Sequence, residues 1–297
     1  MYNKIIFYND GHLGDTFLNK PFVKEIVKKI PAKTYAFANN KYPAEYVLDI
    51  VDEYIDINVV RDYASPYKKF TAADDTLYIN TWMPYCFTKE ELALNKPKSN
   101  DGICYNFDVY YSCLTQVMKE IDSSFDISHM LKSKEDYVLE DYTKNINIPD
   151  VKELYRKKVL IFNQPAFSGQ SDNFDHTQYI ETIANLHSDV LFYISSTFNT
   201  NLSNIISLQN FVTSPDLLQI AAFSLSCDII CGPGNATTIS TWTKSNINND
   251  KKIYITINRN DPGEAMLFQN QKCTTYVVKS TPSLYNYLHT CLVRGKV

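Results

Sequence analysis

The chain of 297 residues contains only eight glycines, well below the usual share of about 7%. Four of them form two close pairs, Gly11 with Gly14 and Gly232 with Gly234. Each pair follows a short apolar run of strand type, Lys4–Tyr8 in one case and Asp228–Cys231 in the other, and each precedes a stretch with helical spacing. A residue without Cβ lets the backbone turn sharply and approach a ligand, while a helix N-terminus offers unpaired N–H groups and partial positive charge. Ligands of open parallel sheets collect at such corners, where strands end and helices begin. A phosphate or sugar diphosphate is the ligand this chemistry suits. A plain tight turn calls for the same glycines, but one pair in each half, at the equivalent topological place, favours a ligand.

The side chains beside these corners narrow the chemistry. His12 and Asp15 flank the first pair; an imidazole titrates near neutrality, and a carboxylate at the mouth of a helix can accept a proton or simply stabilise that helix end. Behind the second pair, Asn235, Ala236, Thr237 and Thr238 offer backbone and hydroxyl donors, and the threonines are equally good helix caps. Gln164 and Ser168 follow the strand Lys158–Asn163, where they add neutral contacts or form a turn. Arg259 and Glu264 follow the strand Lys252–Ile257, placed either for phosphate and ribose contacts or in a solvated loop. Trp82 and Tyr85, just past the strand Thr76–Thr81, have rings able to stack on a sugar or anchor a loop. No Asp-x-Asp sequence occurs, so a cation held by paired carboxylates is not expected; Asp74 and Asp75 precede a strand, at the wrong end for a site.

The elements that must position these residues alternate strand and helix, which predicts parallel sheets with crossover helices. In the first half, strands are expected at Lys4–Tyr8, Thr34–Ala38, Ile55–Val60 and Thr76–Thr81. Helices are expected at Asp15–Ile30, Tyr42–Val51 and Phe107–Ile121, the first with Phe17, Leu18, Phe22, Val23, Ile26 and Val27 on one face. A polar stretch from Ser133 to about Lys157 reads as a connection. Beyond it come strands at Lys158–Asn163, Val190–Ser195, Phe211–Thr213, Asp228–Cys231, Lys252–Ile257 and Thr275–Lys279. The helices there are Thr177–His187, Asp216–Ser226, Thr237–Lys244 and Ser283–Val293. Two α/β domains also suit the length, which exceeds what one core usually serves.

Composition excludes several classes. With 44% apolar and 21% charged residues the chain is an ordinary globular one, and a net charge of −4 with scattered cations argues against a nucleic-acid partner. The start reads as a first strand rather than a signal peptide, and no apolar stretch approaches a membrane span, leaving only peripheral membrane contact open. Seven cysteines without a CxxC pair suggest a reducing, cytoplasmic setting and no zinc site.

The stretch Asn9–Ile26, with Gly11-His12-Leu13-Gly14-Asp15 followed by Phe17, Leu18 and Pro21, resembles the opening of the heptosyltransferases that act on lipopolysaccharide cores. Leu217–Cys227 resembles that family's leucine-rich helix, and Asp228–Thr238 its strand and Gly-Pro loop. The resemblance implies a GT-B fold: two Rossmann-like lobes with a cleft between them. It puts an acceptor-side domain at 1–140 and a nucleotide-sugar-binding domain at 150–280, with a C-terminal helix over 281–297 free to pack back on the first. The implied activity is metal-independent, inverting transfer of a hexosyl or heptosyl group from a nucleotide-diphosphate donor to a glycan or glycolipid acceptor. Asp15 matches the family's catalytic aspartate and would act as base, with His12 its rival, and no cofactor is implied beyond the donor. Here the acid of the family's second loop is replaced around Gly234-Asn235 with no histidine following in that loop, and residues 163–170 carry no lysine or arginine, which departs from the family pattern. Two alternatives therefore stand beside the transferase: a non-catalytic nucleotide-sugar-binding module and a sugar-nucleotide epimerase.

Overall fold

The structure, a computed structural model, describes residues 2–10, 13–40, 49–82, 86–91, 106–124, 141, 155–164, 175–211, 216–257 and 271–295. The chain forms two compact units, Met1–Leu139 and Glu140–Ala265 with Asn270–Val297.

The first unit contains β1 (Tyr2–Tyr8), α1 (Leu13–Lys29), β2 (Ala32–Asn39), β3 (Glu53–Asp56), β4 (Phe70–Ala73), β5 (Thr76–Asn80) and α2 (Asn106–Ile121). Its sheet runs β3-β2-β1-β5-β4, parallel except for β4, which pairs antiparallel with β5. Alternation along β1 sends Ile6 and Tyr8 to one face, where they pack with Ala36, Ala38 and Tyr78 against Ile57, Val60 and Ala64. Ile5 and Phe7 point the other way and are equally buried. Helix α1 buries Phe17, Leu18, Phe22, Val23 and Ile26, the stripe its spacing predicts.

Two first-unit expectations need correction. The strand expected over Ile55–Val60 stops at Asp56, whose carboxylate accepts from the Asn58 N–H at 2.9 Å and caps a 3-10 turn over Ile57–Val60. The edge strand β4 was not expected; a two-residue turn at Asp74-Asp75 joins it to β5, with Asp74 at φ 52°, a conformation Asp tolerates. Most of the helix expected at Tyr42–Val51 lies outside the described residues.

The second unit contains β6 (Lys157–Ile161), α3 (Thr177–Leu186), β7 (Val190–Ile194), β8 (Ile205–Ser207), α4 (Leu217–Ser224) and β9 (Ile229–Pro233). It continues with α5 (Ala236–Ser240), α6 (Lys244–Ile247), β10 (Ile253–Ile257), β11 (Thr274–Val278) and α7 (Thr281–Arg294). The sheet is parallel throughout, in the order β11-β10-β9-β6-β7-β8. Helices α3 and α7 cover one face: Ile180, Ile183, Leu284, Tyr285, Leu288 and Cys291 share a core with Val159, Phe192, Ile229 and Ile255. The C-terminal helix, which the resemblance allowed to lie on the first lobe, thus contributes its apolar stripe to the second unit's own core.

Local chemistry explains the other departures. Of the strand expected at Phe211–Thr213 only Phe211, in a turn, is among the described residues; the strand β8 before it was not expected, and there the Asn204 side chain donates to the carbonyls of Ala184, His187 and Val190 and fixes the entry to Ile205. The helix expected at Thr237–Lys244 breaks in two, since the Ser240 and Thr241 hydroxyls bond back to the carbonyls of Thr237 and Thr238. Lys252 is buried with its ammonium on the carbonyls of Ser224, Leu225 and Cys227, where it closes the C-terminal end of α4; burial pushes its pKa down. Six described cysteines are buried, and burial pushes the thiols of Cys86 and Cys113 up to about 12. No helix among the described residues is long and apolar enough to cross a membrane.

Candidate functional site

Strand order locates the ligand-binding edge of each sheet. In the second unit, β6 has β7 on one side and β9 on the other, so the chain reverses its direction of travel between β6 and β9. A crevice opens at such a reversal beyond the carboxyl ends of the strands. The residues there are Phe162, Asn163 and Gln164 after β6, and Gly232, Pro233, Gly234 and Asn235 at the end of β9 and the start of α5. The second glycine pair therefore stands at the switch point of its own sheet.

The glycines there have distinguishable roles. Gly232 has φ 152°, and a Cβ on it would lie 2.6 Å from the Phe162 Cβ and 2.9 Å from the Phe162 carbonyl oxygen. Its missing side chain thus admits the neighbouring strand end. The Gly234 N–H donates to the Ile257 carbonyl at 3.0 Å, which ties the corner to β10.

The donors expected at this corner are engaged internally. Asn235 caps α5, its Oδ1 accepting from the N–H groups of Thr237 at 3.1 Å and Thr238 at 3.3 Å. The Thr238 hydroxyl is fully buried and donates to the Pro233 carbonyl at 2.6 Å. Thr237 is buried and Ala236 half-buried. The amide oxygen of Asn235 thus stands where an anionic oxygen would accept the same two N–H groups. Asn235→Ala is expected to cost about 1 kcal/mol of folding stability, a usual value for a lost N-cap, read as a lower denaturant midpoint with an unchanged slope.

Sequence reasoning missed the polar cluster next to Gln164, which is itself exposed. Asn163 Oδ1 accepts from the Ser196 hydroxyl at 2.7 Å and N–H at 3.2 Å, and from the Ser195 hydroxyl at 3.4 Å. These bonds tie the end of β6 to the end of β7. The available signal was positional: each of these polar residues directly follows the apolar run of a parallel strand.

The first unit repeats the plan. β1 lies between β2 and β5, and the carboxyl ends of these strands carry Asn9, Asn39, Asn80 and Thr81, all at most 2% exposed. The amide of Asn39 donates to the Asn9 carbonyl at 2.5 Å, and the Thr81 hydroxyl to the Tyr8 carbonyl at 3.1 Å. The Asn80 amide donates to the carbonyls of Pro66 and Lys68, and its oxygen accepts from the N–H of half-buried Trp82. Asp10, the last described residue before the first glycine pair, is held by Arg61 through bonds of 2.8 and 3.3 Å. This carboxylate beside the guanidinium pushes the Arg61 pKa up further.

Asp15 lies in the first turn of α1, half-buried, with its carbonyl accepting from the Asn19 amide at 2.7 Å. Gly14 is buried in the same turn. The neighbouring Thr16 hydroxyl is buried without a hydrogen-bond partner among the described residues, an arrangement that calls for a bound water or ligand group. Gly11, His12, Tyr85, Ser168, Arg259 and Glu264 lie outside the described residues.

No family model matches the chain, and no curated protein matches it in sequence. Solved structures do resemble it. The E. coli heptosyltransferase WaaC with ADP superposes at TM-score 0.54 and 8% identity, covering 96% of this chain and 98% of that one. WaaC with ADP-2-deoxy-2-fluoro heptose gives TM-score 0.52 at 9% identity, with the same coverage. A family 9 glycosyl transferase from Veillonella parvula gives TM-score 0.47 at 10% identity, covering 100% of this chain and 90% of that one. At these identities the likeness is one of architecture: the chain has the fold of two Rossmann-like α/β units found in the heptosyltransferases of GT-B type.

Proposed function

We propose that the chain is a metal-independent glycosyltransferase that moves a sugar from a nucleotide-diphosphate donor to a glycan or glycolipid acceptor. The observation that carries this reading is the position of the two glycine pairs. The second stands at the switch point of a parallel sheet, and Gly14 of the first lies in the opening turn of α1, the helix that follows β1, with Asp15 beside it. That the E. coli enzyme of similar fold was solved with ADP and with a fluorinated ADP-sugar supports a nucleotide-linked donor.

In the proposed reaction Asp15 takes the proton of the acceptor hydroxyl as its oxygen bonds to the sugar carbon. The bond from that carbon to the diphosphate breaks, and its electron pair leaves with the phosphate oxygen. Inversion follows from attack opposite the leaving group. The second-unit corner would receive the diphosphate, whose oxygens would replace Asn235 Oδ1 on the Thr237 and Thr238 N–H groups.

A thermal-shift screen against nucleoside diphosphates and their sugars tests this directly. A ligand at 100 times its Kd is expected to stabilise the fold by about 2.7 kcal/mol and raise Tm by several degrees. No shift with any nucleotide at millimolar concentration would end the proposal. The internal engagement of the corner's donors by Asn235 favours a second reading, a nucleotide-sugar-binding module without turnover. Binding without donor hydrolysis or transfer would select it.

A further inference from the structure

Helix α3 is flanked by two histidines, His176 at its N-cap and His187 at its C-cap, each only 6% exposed. Both reach the same neighbouring helix. His176 Nδ1 lies 3.0 Å from the Tyr285 hydroxyl, and His187 Nε2 lies 2.9 Å from His289 Nδ1. Tyr285 and His289 are four residues apart on α7, hence one above the other on a single helical face. An imidazole thus fastens α3 to α7 at each end.

We propose that the His187–His289 contact beside Arg156 is an acid-sensitive clasp, closed while at least one of the two imidazoles is neutral and released when both are protonated; the His176–Tyr285 contact, in which a protonated imidazole can still donate to the hydroxyl, holds the other end. A hydrogen bond between two imidazoles requires a lone pair on one ring, and protonating both leaves two N–H donors facing each other. The surroundings of His187 add to this. Arg156 brings a positive charge, bound to Asp189 and to the Leu292 carbonyl, and among the described residues the Asp189 carboxylate opposes it. Around His176 the Tyr285 ring is stacked on Tyr179, and the nearby charge among the described residues is that of Asp175. Burial pushes both imidazole pKa values below the ordinary 6.5.

The sign follows from linkage. On acidification the unfolded or locally opened chain takes up these protons first. The clasp is therefore fully effective above about pH 6.5 and weakens as pH falls through and below that value. The clasp itself does not rest on the proposed activity.

Hydrogen exchange of the whole chain at pH 7.5 and 5.5, corrected for intrinsic amide rates, tests the proposal. Protection of α3 and α7 is expected to fall severalfold more than that of α1 and α2. In His289→Asn, which keeps a neutral partner for His187, the excess is expected to shrink severalfold. Wild-type imidazole titration by NMR, tractable with five histidines, is expected to show His176 and His187 still neutral where an exposed histidine is half protonated. Equal loss of protection across all four helices, an unchanged excess in His289→Asn, or titration of both buried imidazoles at the exposed value overturns the clasp.

Discussion

Replacing Asp15 with alanine is expected to lower the rate of sugar transfer by about 10²- to 10⁴-fold, the usual contribution of a positioned general base, while donor binding changes by no more than a few fold. The separation follows from the proposed roles. Asp15 would act on the acceptor hydroxyl from the first turn of α1, whereas the diphosphate would be held at the corner after β9. A first-turn carboxylate also contributes about 0.3 to 1 kcal/mol to its helix, so the variant should melt slightly lower. A loss of that size leaves nearly every molecule folded and cannot mimic a thousandfold drop in kcat. Asp15→Asn, which keeps the shape and removes the basicity, is expected to be as slow as Asp15→Ala. Steady-state kcat and KM for both variants decide the point. Turnover near wild type ends the assignment, and a large loss in His12→Ala with a small one in Asp15→Ala transfers the role to the histidine.

Gly232→Ala is expected to destabilise the second unit by about 3 to 5 kcal/mol, combining overpacking with a backbone conformation that side chains resist. The new methyl would meet Phe162 Cβ at 2.6 Å and its carbonyl oxygen at 2.9 Å. Neither atom can swing aside, because the Phe162 N–H is bonded to the Cys231 carbonyl at 2.8 Å and its side chain is fully buried. Such a loss is a large share of the 5 to 15 kcal/mol that holds a typical domain together. Equilibrium urea unfolding measures it, and a midpoint within error of wild type would show that the two strand ends can move apart.

These two variants separate what the glycine pairs tell. Scarcity of glycine and its place after apolar runs pointed to both corners, and strand order then put the second corner, and the end of β1 that precedes the first, at switch points. What the residue pattern could not tell was which role each glycine serves. Gly232 looks like a residue cleared for a ligand, yet its empty side faces Phe162, seventy positions earlier in the chain. Thr237 and Thr238 read equally as ligand donors or helix caps, and the Asn235 and Pro233 contacts engage the Thr237 N–H and the N–H and hydroxyl of Thr238. Likewise Asn163 and Ser195 stand only as the last residues of expected strands, and pairing of β6 with β7 brings them together with Ser196.

The sequence by itself determined the alternation of strands and helices, the division into two α/β units and the apolar face of α1, because hydrophobic spacing and scarce glycines act over a few neighbouring residues. Only the tertiary structure decided the edge strand β4, the strand β8 and the joining of α3 to α7 through His176, Tyr285, His187 and His289. Those features depend on groups far apart in the chain, whose pairing is chosen by which surfaces the folded sheets bury together.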